Sequence, residues 1–114
     1  MKEKIDPALE KNEEWKSGVK LANQLLEEEL GNLSGLATAT WNLSFHKDKK
    51  EFPCLTLTLS DYTGAECVQF APDELRNESL LRTRLHELWG RLLKRSMREQ
   101  NTRLSEVVKQ LDGN

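Results

Sequence analysis

The sequence predicts a two-layer α+β domain, in which helices cover one face of a three-stranded antiparallel sheet. Two observations support this fold class. Between residues 36 and 70, apolar and polar residues alternate with a period of two, which is typical of strands with one buried face. On both sides of this segment, apolar residues recur every three or four positions, which is typical of helices packed on a core. The predicted layout is therefore an N-terminal helix, a three-stranded meander and one or two C-terminal helices.

The leading helix is predicted to begin at Asp6 and Pro7, because aspartate caps free backbone N–H groups and proline fits the first helical turn. Its apolar stripe consists of Trp15, Val19, Ala22, Leu26 and Leu33. Gly18 lies within this helix and weakens it by about 1 kcal/mol relative to alanine, unless another segment packs too closely for a side chain. Gly31 and Gly35 are expected to end the helix.

The three strands are predicted near residues 36–46, 54–60 and 65–70. A charged loop joins the first two, and a turn containing Gly64 joins the last two. Because both connections are short, we expect an antiparallel meander.

Placing Phe45 opposite Leu55 and Leu57 opposite Val68 brings the apolar residues of all three strands to one face. The expected core of the sheet is Trp41, Leu43, Phe45, Leu55, Leu57 and Val68. We expect these side chains to be buried against the leading helix and the helix that follows the strands.

The C-terminal region is predicted to be helical after a start near Pro72. Its first apolar stripe is Leu81, Leu85, Leu88 and Leu92, and its second is Leu104, Val107, Val108 and Leu111. The pattern pauses near Asn101, which leaves two alternatives. Either one helix spans residues 79–111, or a bend separates two helices.

Length and composition predict a single domain, 1–114, since a chain of 114 residues can bury one core. The net charge of −2 does not favour a protein that coats nucleic acid with its whole surface. The sequence has neither an apolar run long enough for a transmembrane helix nor an apolar leader. We therefore expect a cytoplasmic protein without membrane association, in which Cys54 and Cys67 are reduced thiols.

The polar positions of the first two strands predict an interaction surface. They are Thr38, Thr40, Asn42, Thr56 and Thr58. A solvated face normally carries lysine and glutamate, and charged residues are 32% of this chain, but none stands at these positions. Short uncharged side chains allow another sheet to approach closely, most simply that of a second copy. A plain exposed face is the alternative, because threonine has a high strand propensity.

The stripe of Leu104, Val107, Val108 and Leu111 is a second candidate surface, because an isolated helical segment gains stability by docking. From both surfaces we predict a non-enzymatic protein–protein interaction module, most simply a homodimer. Its partner would be a protein, either itself or another.

Two other functions remain as alternatives. Four bases at Arg91, Lys94, Arg95 and Arg98 form a helical stripe that suits a nucleic-acid-binding accessory protein. A small enzyme with a cleft near His86 is the third, although no nucleophile or orienting partner is spaced around this histidine in the sequence. The sequence contains no phosphate-binding glycine motif and no set of metal ligands, so it predicts no cofactor and no metal.

Overall fold

The computed structural model describes the backbone of residues 1–46 and 49–112 and the side chains of residues 1–45 and 52–98. Within these ranges the fold is α+β, as predicted, and combines a four-stranded mixed sheet with three α-helices. The strands are β1 (Lys2–Ile5), β2 (Thr38–His46), β3 (Lys49–Asp61) and β4 (Gly64–Phe70), in that order across the sheet. The helices are α1 (Pro7–Glu10), α2 (Glu13–Leu30) and α3 (Glu78–Asp112), with 3₁₀ helices at Gly31–Leu36 and Pro72–Arg76.

Strand β1 is a correction to the predicted three-stranded meander. It pairs in parallel with β2, while β2, β3 and β4 form the antiparallel meander that the sequence predicts. The Lys2 N–H donates to the Ala37 carbonyl at 3.1 Å, and the Asp6 N–H donates to the Trp41 carbonyl at 2.9 Å. The segment was missed because its side chains are mostly charged, which is common on edge strands and hides the period of two.

The leading helix is also corrected, because it is two helices rather than one. Asp6 caps α1 by accepting the Ala8 N–H at 3.0 Å, as expected. The helical conformation is then interrupted at Asn12, which is the N-cap of α2. The side-chain oxygen of Asn12 accepts hydrogen bonds from the N–H groups of Glu14 and Trp15. Asparagine is a strong helix cap, and here it outweighs the continuity of the apolar stripe.

The predicted register is confirmed between β3 and β4, where Leu57 lies opposite Val68. Between β2 and β3 it is wrong by two residues, since Phe45 lies opposite Pro53 rather than Leu55. A shift of two preserves which side chains share a face, so a period of two cannot distinguish the two registers. As a result, Phe45 sits beyond the core and is 56% exposed, contrary to prediction.

Helices α2 and α3 pack side by side on one face of the sheet, where the core lies. The fully buried sheet residues include Trp41, Leu55 and Leu57, while Leu43 and Val68 are partly buried against the same cluster. The helices contribute the predicted stripes Val19, Ala22, Leu26, Leu81, Leu85, Leu88 and Leu92. We call this side of the sheet the inner face.

Helix α3 is continuous through Asn101, which decides between the two alternatives for the C-terminal region. It runs along β4 toward the β3–β4 turn, where the Ser96 hydroxyl donates to Asp61 Oδ2 at 3.2 Å. At 1.5 Å per residue, its 35 residues span about 52 Å. The helix therefore continues for 16 residues beyond Ser96, to Asp112.

Candidate functional site

The side of the sheet opposite the helices carries the residues that the sequence singles out as an interface. The paired registers place Thr40, Thr58 and Cys67 in one row and Asn42, Thr56 and Gln69 in the next. We call the following set the outer face: Thr38, Thr40, Asn42, Ser44, Cys54, Thr56, Thr58, Ser60, Ala65, Cys67 and Gln69. None of these residues is buried within the described chain.

The outer face is uncharged across three strands. Residues from β4 extend the pattern seen in β2 and β3, although they were not part of the predicted set. Side-chain hydroxyls make local contacts, such as Ser60 Oγ to the Thr38 carbonyl at 3.4 Å and Ser44 Oγ to Thr56 Oγ1 at 3.5 Å. Lys2 and Lys4 of β1 form a charged border on one side. The structure thus brings Thr38, Thr40, Asn42, Thr56 and Thr58 onto one surface.

The area of this surface can be judged from sheet geometry. Strands lie about 4.8 Å apart and rise about 3.3 Å per residue, so the face measures roughly 400 Å². Stable complexes bury about 800 Å² on each partner. The outer face alone therefore suits a weak complex, and a tighter one needs a second contact.

The second candidate surface falls on the far part of α3. Leu104, Val107, Val108 and Leu111 belong to this helix, but they lie outside the residues whose side chains are described. Nearer the core, Leu93 and Met97 are exposed on the same helix, Met97 by 60%. Leu36 is 64% exposed in the 3₁₀ helix that leads into β2. Leu93 stands next to the buried Leu92 and Leu36 next to the buried Ala37, so the sequence pattern does not mark either as exposed.

The basic stripe is partly engaged within the protein. Arg91 Nη2 donates to the Cys67 carbonyl at 3.0 Å, and Arg95 donates to Glu66 Oε1 through both Nε and Nη2. Two turns earlier along α3, Arg84 Nη1 donates to the Gln69 carbonyl at 3.2 Å. These arginines line the free edge of β4, and exposed edges of sheets are commonly protected by such charges.

The other two members of the stripe, Lys94 and Arg98, are exposed and line the same surface hollow as Arg91, Arg95 and Glu66. The four predicted bases therefore do lie together. Arg91 and Arg95 have partners on β4, which gives the stripe a structural role that its sequence pattern does not reveal.

His86 has a partner that the sequence spacing did not predict. Its Nδ1 lies within hydrogen-bonding distance of Glu29 Oε1, because α2 and α3 pack side by side. Both residues line a surface hollow of about 500 Å³ together with Arg82 and Thr83. The histidine side chain is 74% exposed, so this contact is a solvated bridge between helices rather than a sequestered acid–base pair.

Cys54 and Cys67 are free thiols that stand on the outer face at different registers, opposite Ser44 and Thr58 respectively. Among the residues that the structure describes, no group of three or more His, Cys, Asp or Glu side chains could hold a metal ion. No described helix is long and apolar enough to cross a membrane.

Comparison of the chain with protein-family models, with curated proteins and with solved structures finds no match. The functional argument therefore depends on the surfaces described above.

Proposed function

We propose that this protein is a non-enzymatic protein–protein interaction module that forms a homodimer through the outer face of its sheet. The observation that carries the proposal is the absence of charge on a face that β2, β3 and β4 build together. A two-fold dimer brings the same surface of each copy together, so any net charge on it would repel itself. The outer face avoids this cost, and its short side chains permit two sheets to stack about 10 Å apart.

The proposal includes the α3 stripe of Leu104, Val107, Val108 and Leu111 as the second contact. Its support is the spacing in the sequence and the continuity of the helix to Asp112. The outer face, at roughly 400 Å², falls short of the area of a stable dimer, and a helix pairing supplies the missing contact. We place the dimer in the cytoplasm, where two free cysteines on an interface stay reduced.

Light scattering after size-exclusion chromatography tests the proposal at micromolar protein concentration. The wild type is expected to elute with the mass of two chains. Thr58→Lys puts a charge at the centre of the stacked sheets and is expected to shift the equilibrium at least tenfold toward monomer. Thr83→Lys is the matched control, because Thr83 is exposed on α3 and lies outside the outer face. A monomeric wild type contradicts the proposal.

A second variant separates the two contacts. Val108→Asp is expected to weaken the dimer if the α3 stripe contributes, while leaving the effect of Thr58→Lys in place. If Val108→Asp dissociates the dimer and Thr58→Lys does not, the interface lies on the helix rather than on the sheet.

The nucleic-acid alternative makes a different prediction, which the same protein samples can test. A monomeric wild type that shifts DNA or RNA in a salt-sensitive manner would replace our proposal. In that case Lys94→Ala with Arg98→Ala would abolish the shift, because both bases are exposed in the hollow that the stripe lines.

A further inference from the structure

The two edges of the sheet differ in what covers them. At the β4 edge, Arg84 and Arg91 donate to the backbone carbonyls of Gln69 and Cys67. At the β1 edge, no further strand of the described chain lies alongside. An edge strand of this kind presents unpaired backbone N–H and C=O groups to any segment that adopts an extended conformation.

The backbone of β1 shows which groups face outward. Lys2 and Asp6 donate their N–H groups to β2. In a strand, alternate residues direct their N–H and C=O groups to opposite sides, so Lys4 also faces β2. Glu3 and Ile5 therefore direct their backbone N–H and C=O groups away from the sheet.

A cavity of about 340 Å³ lies beside this edge, between β1, α1 and α2. Its apolar wall is formed by Ile5, Leu9 and Val19. Asn23 also lines the cavity and is 3% exposed. Its Oδ1 accepts the Trp41 Nε1–H at 2.7 Å, so its amide nitrogen is the donor that Asn23 can offer to a ligand.

The charges around the cavity are arranged along its length. Glu3 and Glu27 stand at the end where β1 begins, since Glu27 lies 3.7 Å from the amino group of Met1. Lys16 and Lys20 stand nearer the beginning of α2. An added strand would thus meet an acidic position level with Glu3 and an apolar position level with Ile5.

We propose that the β1 edge and the adjoining cavity bind an extended peptide as a fifth strand. Side chains on one side of a strand recur at every second residue. The bound peptide therefore carries a large apolar residue and a basic residue two positions apart, both directed toward α2. The apolar side chain enters the cavity beside Leu9 and Val19, and the basic side chain meets Glu3 and Glu27.

This site is independent of the proposed dimer, because it uses an edge and the inner side of the sheet rather than the outer face. Its loss would leave the oligomeric state unchanged, and failure of the dimer would leave the peptide site standing.

The test uses fluorescein-labelled hexapeptides and the full chain. One probe has the order Ser-Lys-Thr-Leu-Thr-Ser, which suits a parallel strand, and another has Ser-Leu-Thr-Lys-Thr-Ser, which suits an antiparallel one. The control peptide is Ser-Lys-Leu-Thr-Thr-Ser, whose adjacent lysine and leucine point to opposite faces. The protein is titrated into each peptide up to millimolar concentration, and binding is measured by fluorescence anisotropy. At least one probe is expected to bind, and the control peptide is expected to bind more weakly.

A pair of variants isolates the backbone contact. Glu3→Pro removes the outward N–H without removing a bond to β2, whereas Glu3→Ala removes the same side chain and keeps the N–H. Binding is expected to be about three- to tenfold weaker for Glu3→Pro than for Glu3→Ala, as for one lost hydrogen bond. Circular dichroism verifies that both variants fold.

Amide and methyl NMR shifts locate the bound peptide. The proposal expects shifts at the Glu3 and Ile5 amides together with the Leu9 and Val19 methyl groups. It is overturned if neither probe binds, if both variants bind equally, or if the shifts lie on the outer face. Methyl shifts without amide shifts also overturn it, because they indicate a cavity for small apolar molecules.

Discussion

Trp41 and Asn23 form the most deeply buried polar contact among the described side chains. The indole is fully buried, and its N–H donates to the asparagine oxygen at 2.7 Å. The same indole stacks on Phe70, with ring centroids 5.9 Å apart. A buried indole N–H needs a partner, because leaving it without one costs the full desolvation of that group.

Asn23→Ala is therefore expected to lower the free energy of unfolding by about 1–3 kcal/mol. Urea denaturation measures the change, and a double-mutant cycle with Trp41→Phe isolates the contact. The two substitutions are expected to be non-additive by about 1 kcal/mol, because phenylalanine has no N–H to satisfy. Fully additive effects would mean that the hydrogen bond contributes nothing to stability.

At the scale of the elements, Gly18 allows α2 to approach the 3₁₀ helix Pro72–Arg76. A Cβ added at this position would lie 2.7 Å from the Leu75 Cβ and 3.0 Å from its Cδ1. The contact explains why the predicted helix tolerates a glycine in its apolar stripe. Without the glycine, the 3₁₀ helix would have to move away from the core.

Gly18→Ala is expected to destabilise the protein, although alanine normally stabilises a helix by about 1 kcal/mol relative to glycine. Gly90→Ala in α3 is the matched control, because no atom beyond its chain neighbours and its own helix backbone lies within 4 Å of an added Cβ there. This control is expected to stabilise by about 0.5–1 kcal/mol. Thermal unfolding of both variants is expected to show changes in stability of opposite sign. A stabilising Gly18→Ala would show that Leu75 can move aside.

The sequence predicts the elements with a large buried face better than the short elements at the N-terminus. Strands β2, β3 and β4 were predictable because apolar and polar residues alternate along them, which indicates a large buried face. Strand β1 was not, because Ile5 is its main apolar contribution and its pairing partner lies more than 30 residues away. The break at Asn12 was hidden for a similar reason, since a single cap interrupts an otherwise regular stripe.

The candidate site shows the same division. The face occupied by Thr56 and Thr58 followed from periodicity alone. The proposed peptide site did not, because it joins β1 to α2, and β1 could not be placed from local patterns. The engagement of Arg91 with the Cys67 carbonyl was equally hidden, since it depends on how α3 lies along β4.

For the whole molecule, hydrogen exchange is expected to report the order of the strands. Residues 55–60 of β3 pair with both β2 and β4, so their amides should exchange only when the protein unfolds globally. Within β1, Lys4 should be protected, while Glu3 and Ile5 should exchange quickly because their N–H groups face away from β2. Residue-resolved NMR exchange measures this alternation, and equal protection along β1 would show that another segment covers the edge.

The unequal edges of the sheet also limit how copies of the chain can join. A sheet with two free edges can place β4 of one copy against β1 of the next. A head-to-tail contact of this type does not close on itself, so the copies extend into a filament. Here Arg84 and Arg91 occupy carbonyls that an incoming β1 would need. A further strand can therefore pair with the sheet at the β1 edge but not at the β4 edge, where the two arginines block strand addition.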